Sequence, residues 1–242
     1  MCRCENVIHP KAKEEVEKLI DKIRREGARV KSIIVFGSAT RNEDFRPSIS
    51  DIDVAIIIDK MEDLSEDVLK DISKDLEIGV FTAGQFLELW INGDPLAHMI
   101  WLEGVAIVDD GFYEELKARG KPRITELTLM KLRFWGLKDL AEAVKPGVSR
   151  DKGLRSLHHA VRNFARLRIA RDRDIFVITD DEVLKNLNEA LSRRYEDFLE
   201  RLKRNMEYYE QLIFEAMDVM ELLDGRPLPR LDEILRITTN EK

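Results

Sequence analysis

Apolar residues change their period once along the 242-residue chain, near residue 124, and the change separates two kinds of structure. Over residues 10–26, Val16, Leu19, Ile20 and Ile23 recur at helical spacing. Pro10 suits a first turn and Gly27 a stop, so this stretch predicts a helix. Residues 30–36 are rich in β-branched and apolar side chains and run into Gly37-Ser38. Residues 53–58 supply Val54, Ile56, Ile57 and Ile58, which predicts a second, mostly buried strand. Between the two lies a polar loop with Arg41, Asn42, Asp44, Arg46 and Pro47. A helix over 62–74 burying Val68, Leu69 and Ile72 follows, then a strand over 75–82, a short helix over 85–91 and a strand over 105–108. The alternation is that of an α/β domain ending near Lys121-Pro122.

Beyond it helices dominate. Leu127, Met130, Phe134, Leu137, Ala141 and Val144 keep a three-then-four spacing until Pro146-Gly147. A second helix is expected over 151–171, and Thr179-x-x-Glu182 has the form of a capping box. That box opens a long pattern of Leu184, Leu187, Leu191, Phe198, Leu202, Met206, Tyr209, Ile213 and Met220, which ends at Gly225 and is long enough to conceal a break. Helices with one apolar stripe bury it against one another, so the expected layout is a domain over 1–123, an all-α antiparallel bundle over 124–224 and a tail over 225–242.

Composition narrows the classes. An apolar fraction of 44% is enough for an ordinary core. No apolar run reaches bilayer length, and the polar start of the chain has no apolar leader, so a cytoplasmic protein with no membrane partner is expected. A net charge of −7 argues against binding extended nucleic acid. Cys2 and Cys4 form a close pair near His9, with no second pair to complete a tetrahedral zinc site. Arg155, His159, Arg162, Arg166 and Arg173 fall near one face of the second bundle helix as a basic strip, either an anion grip or a solvated face.

The chemistry concentrates where the first strand ends and the second begins. Strand side chains alternate faces, so Asp51 and Asp53 project together while Ile52 points away. Paired carboxylates repel, an arrangement that makes sense around a hard divalent cation; Mg²⁺ is held by one or two carboxylates plus substrate phosphates. Gly37, without a Cβ, allows close approach of a phosphate to backbone N–H groups, and the Ser38 hydroxyl adds a donor.

These residues resemble the signature of the DNA polymerase beta superfamily of nucleotidyltransferases: a hydrophobic strand, Gly-Ser, a variable loop, then Asp-hydrophobic-Asp. The resemblance covers about the first half of the chain and extends to minimal and kanamycin nucleotidyltransferase-like members, which carry a C-terminal helical domain. It implies an α/β (α+β) domain with a mixed sheet, Gly37 and Ser38 on the NTP phosphates, and Asp51 and Asp53 on the metal ions. Arg41 is the loop's candidate contact to the triphosphate, with Arg46 the other. The family's third carboxylate falls on a following strand, where Asp75 and Glu77 share a face. Glu77 is preferred because apolar residues flank it and its distance from Thr82 resembles the family spacing.

The implied activity is Mg²⁺-dependent (or Mn²⁺-dependent) transfer of a nucleoside monophosphate from an NTP, expected to be ATP, to a hydroxyl of a small molecule or protein, with release of pyrophosphate. The alternative is an NTP-sensing or antitoxin-like regulatory module with weak or no catalysis. A homodimer is left open, and the acceptor is not legible in any motif.

Overall fold

A computed structural model describes residues 8–41, 45, 50–70, 72–204 and 208–237. Cys2, Cys4, Arg46 and Met206 lie outside them. The chain forms two compact units, residues 1–123 and 124–242.

The first unit is built on a mixed four-stranded sheet of β1 (Ser32–Phe36), β2 (Ile52–Ile58), β3 (Leu76–Thr82) and β4 (Val105–Asp109), in the order β3-β2-β1-β4. β1 runs antiparallel to β2 and β4, whereas β2 and β3 are parallel. Helix α1 (Pro10–Arg25) opens with Pro10 at its start and buries Val16, Leu19, Ile20 and Ile23. It covers one face of the sheet, made by Ile33, Val35, Ile52, Val54, Ile56 and Ile58. The alternate residues Ile34, Phe36, Ala55 and Ile57 face α3 (Ala83–Ile91), α4 (Pro95–Glu103) and α5 (Phe112–Ala118), against Phe86, Trp90, Ile100, Tyr113 and Leu116. Burial on both faces explains why β1 and β2 read as unbroken apolar runs.

The expected helix over 62–74 does not form. A 3₁₀ turn at Met61–Asp63 and a single α turn, α2 (Glu66–Leu69), take its place. The segment is rich in Asp and Ser, whose side chains compete for backbone bonds: Asp63 accepts from Lys60 N–H at 2.9 Å, and Ser73 from Asp75 N–H at 3.3 Å. Conversely, α4 and α5 were not anticipated. Asp94 caps α4 by accepting from Leu96 N–H, and Pro95 follows at the first turn, but the helix is apolar nearly all round and so has no periodic stripe.

The second unit is all helical: α6 (Glu126–Val144), α7 (Arg150–Arg173), α8 (Asp180–Asn186), α9 (Glu189–Lys203), α10 (Tyr209–Asp224) and α11 (Leu231–Ile237). The Thr179/Glu182 capping box is present, with Thr179 Oγ1 accepting at 3.2 Å and Glu182 Oε2 at 3.1 Å. The long pattern from it is broken at Leu187-Asn188, where Asn188 caps α9, and again before α10. On α6 the buried residues include Thr128, Leu132, Gly136, Leu140 and Ala143, while the expected core residues Met130 and Phe134 are 63% and 43% exposed. Close helix packing displaces the stripe: a Cβ at Gly136 would lie 2.5 Å from Phe164 Cδ2 on α7. At the end of α10 the fully buried Asp224 carboxylate pairs with Arg133 Nε at 2.9 Å and Arg226 Nη2 at 3.2 Å. The segment expected as a tail contains α11, whose Ile234 is buried in the same core. No helix of the described residues is long and apolar enough to cross a membrane.

Gly136→Ala is therefore expected to lower stability by about 1–3 kcal/mol, since the added methyl must push Phe164 and the α7 backbone away. Urea unfolding of the two proteins measures it; an unchanged midpoint would show that α6 and α7 separate without cost.

Candidate active site

The antiparallel register sets Phe36 opposite Asp53, and the parallel register sets Asp53 beside Glu77. Asp53 and Glu77 therefore project from the same face of neighbouring strands. Gly37 begins a 3₁₀ turn (Gly37–Thr40) at the end of β1 with φ 73°, a left-handed conformation that favours glycine. A Cβ at position 37 would overlap the Asp53 carboxylate outright. The missing side chain thus makes room for the aspartate.

Asp53 is part-buried, and its carboxyl is pushed up to about 7. Burial is the main cause, followed by the negative charges of Glu77, Glu103 and Asp51, while Arg41 pulls the other way. Asp51 is exposed one residue before β2, and Glu77 is exposed on the sheet's edge strand. Asp75, the competing third carboxylate, pairs with Lys11 Nζ on α1 at 3.5 Å, which draws it toward the opposite layer. Among the described residues no three His, Cys, Asp or Glu side chains converge as a protein-only metal cage. Mg²⁺ does not need one, because substrate phosphates and water complete its shell.

The Gly37 N–H was expected to face a phosphate. It donates instead to Glu103 Oε1 at 3.0 Å, because the end of α4 brings that buried carboxylate against the turn. Arg41 Nη1 pairs with Glu103 Oε2 and also donates to Gly37 O at 3.3 Å. Thr40 Oγ1 donates to the same carbonyl at 2.9 Å, and Arg41 N–H closes the turn on Ser38 O at 3.0 Å. The Ser38 side chain is half-buried in this turn. Glu103 has no trace in the sequence pattern around Gly37, from which 66 residues separate it. The only local cue was the Asp94-Pro95 helix start, which would have placed Glu103 at a helix end.

The basic strip does not form one solvated face. Arg166 is buried, its Nη2 donating to Ile178 O at 2.6 Å and its guanidinium lying 5.9 Å from the Phe176 ring centre. Burial and neighbouring cations, Arg162 foremost, push the His159 imidazole down to about 3, so it is neutral at physiological pH.

Residues 16–83, under a third of the chain, match the family model of the nucleotidyltransferase domain, and they carry three of the four strands of the mixed sheet. The matched stretch contains the second half of α1, then β1, the Gly37 turn, β2 and β3, and with them Asp51, Asp53 and Glu77. Among solved structures the chain is similar to a nucleotidyltransferase-like protein from Exiguobacterium sibiricum 255-15, at 14% identity and a TM-score of 0.35, over 89% of this chain and 74% of that one. No curated protein matches the sequence.

The raised Asp53 carboxyl sets a pH dependence. A carboxyl that titrates near 7 when folded and near its ordinary 3.8 when unfolded binds its proton more tightly in the native state. Its contribution to stability is complete below pH 4 and is lost as pH rises from 4 to 7. Asp53→Asn should then stabilise the metal-free protein at pH 8 by about 1–3 kcal/mol, discounted for the part-exposed carboxylate, and have little effect at pH 4. Thermal melting in EDTA at both pH values checks this; a variant that melts lower at both would make Asp53 a structural residue.

Proposed function

We propose that this chain is a divalent-cation-dependent nucleotidyltransferase, which moves a nucleoside monophosphate from an NTP, ATP being the expected one, to a hydroxyl of a small molecule or protein. The observation that supports it most is the crowding of Asp53, Asp51 and Glu77 at the Gly37 turn within a nucleotidyltransferase domain. The negative charges of Glu77, Glu103 and Asp51 add to burial in raising the Asp53 carboxyl, and hard oxygen donors of this kind suit Mg²⁺ or Mn²⁺. Acting in the cytoplasm would place the site where NTP and Mg²⁺ are abundant.

Asp51 and Asp53 would hold the cation, with Glu77 on the acceptor side. The bound ion supplies neutralisation of the triphosphate and of the departing pyrophosphate. Ser38, in the turn beside them, offers its hydroxyl to the phosphates, and Arg41 adds a guanidinium at the turn's end. The acceptor oxygen forms its bond to the α-phosphorus as the bond to pyrophosphate breaks, and Glu77, exposed and able to reach an incoming hydroxyl, accepts the proton.

Incubating the protein with each α-labelled NTP, Mg²⁺ and fractionated cell extract should label one fraction. Asp53→Asn should reduce that labelling by about two orders of magnitude or more, several kcal/mol of electrostatic stabilisation being lost with one anionic oxygen. Tight NTP binding with no fraction labelled would instead favour the nucleotide-sensing module.

A further inference from the structure

We infer that Glu103 is a positioning residue of the nucleotide site: it fixes the Gly37 turn through one carboxylate oxygen and holds Arg41 for the triphosphate through the other. This rests on the nucleotidyltransferase reading. The Glu103 residue is 6% exposed, yet it lies at the last turn of α4 with its carboxylate directed at the turn between β1 and β2. Oε1 accepts the Gly37 N–H at 3.0 Å, and Oε2 pairs with Arg41, whose Nη1 returns to Gly37 O at 3.3 Å. Glutamate, glycine and arginine thus close one small ring of polar contacts around the residue whose missing side chain admits Asp53.

The end of α4 is itself clamped. Tyr113 on α5 is 3% exposed, and its hydroxyl donates to Ile100 O at 2.7 Å and stands 3.2 Å from Gly104 O. Gly104 leaves no space for a side chain: a Cβ there would lie 2.7 Å from the Tyr113 hydroxyl and 3.0 Å from Ile34 Cγ2. Tyr113 and Gly104 together hold the Glu103 backbone against β1.

The charge of Glu103 is what a purely structural role does not explain. A neutral acceptor could satisfy the Gly37 N–H, whereas a buried carboxylate is costly to desolvate and here also repels Asp53. An anion adds its own charge to that of the guanidinium and so holds it more firmly than a neutral acceptor does. Arg41 so held stands at the end of the Gly37-Ser38 turn, where its positive charge acts on Asp53.

The experiment compares wild type, Glu103→Gln, Glu103→Ala, Arg41→Ala and Arg41→Ala/Glu103→Gln in the full chain. Each is titrated calorimetrically with ATP, GTP, CTP and UTP in Mg²⁺ and melted in EDTA. Gln can still accept the Gly37 N–H, so Glu103→Gln should melt close to wild type yet bind the preferred Mg-NTP about tenfold more weakly, as expected for one lost charged hydrogen bond. The double variant should bind no more weakly than Arg41→Ala, because Glu103 acts through Arg41. Should Glu103→Ala fail to fold, Glu103→Gln carries the decision. Wild-type affinity in Glu103→Gln, or losses that add in the double variant, would overturn the role of Glu103 alone. A wild-type protein that binds none of the four nucleotides with Mg²⁺ would overturn the nucleotidyltransferase reading together with it.

Discussion

The register between β1 and β2 places the Asp53 carboxylate in the space that a side chain at position 37 would occupy. Residue 37 is therefore held to glycine, for its φ of 73° and for its missing Cβ. The turn that glycine opens at the strand end carries Ser38 and Arg41. The separate parallel register of β2 and β3 sets Glu77 beside Asp53 and adds a second acid to the same face. The two apolar layers keep this arrangement fixed. Ile52 and Val54 anchor β2 into the α1 layer on one side, and Ala55 and Ile57 into the α3–α5 layer on the other. A one-residue slip of β2 would turn Asp53 into the first of these cores.

Electrostatics then separates what the fold tolerates from what a substrate would relieve. Asp51, Asp53, Glu77 and Glu103 bring four acids to one strand end, against which Arg41 sets a positive charge. Some of that excess is offset within the protein, since Glu103 is held by Arg41 and the Gly37 N–H. The remainder falls on Asp53, where burial and like charge make ionisation unfavourable near neutral pH. Local instability of this kind accumulates where a fold serves binding and not its own rigidity. The Asp224 cluster in the helical unit is a contrast: there burial is outweighed by Arg133 and Arg226, which lower the carboxyl, as suits a structural contact.

Much of this was legible in the residues themselves. The β1 and β2 runs could be read because strands buried on both faces are continuously apolar, whereas alternation was extended to Asp51, which stands one residue before β2. Alternation could not separate Asp75 from Glu77; the Lys11–Asp75 ion pair, a contact across 64 positions, is invisible to it. Glu103 was hidden for the same reason, being brought to Gly37 by tertiary packing alone. Over 62–74 helical spacing misled, because Asp63 and Ser73 bind nearby backbone and the apolar spacing does not reveal that competition. Met130 and Phe134 misled differently: they continue a helical stripe, while Gly136 and Ala143 mark the face that packs closely.

The acidic cluster at Gly37, on the proposed function, is a site for a cation and a nucleotide acting together. Thermal melting of the wild-type chain at pH 8 with NTP alone, Mg²⁺ alone and both tests it most directly, because a ligand that binds only the folded state raises the melting temperature by mass action. The account predicts a rise of several degrees with both present, at concentrations about a hundredfold above the dissociation constant, and little with either alone. An equal rise with NTP in EDTA would contradict it, since the nucleotide would then be held without the cation that these carboxylates require.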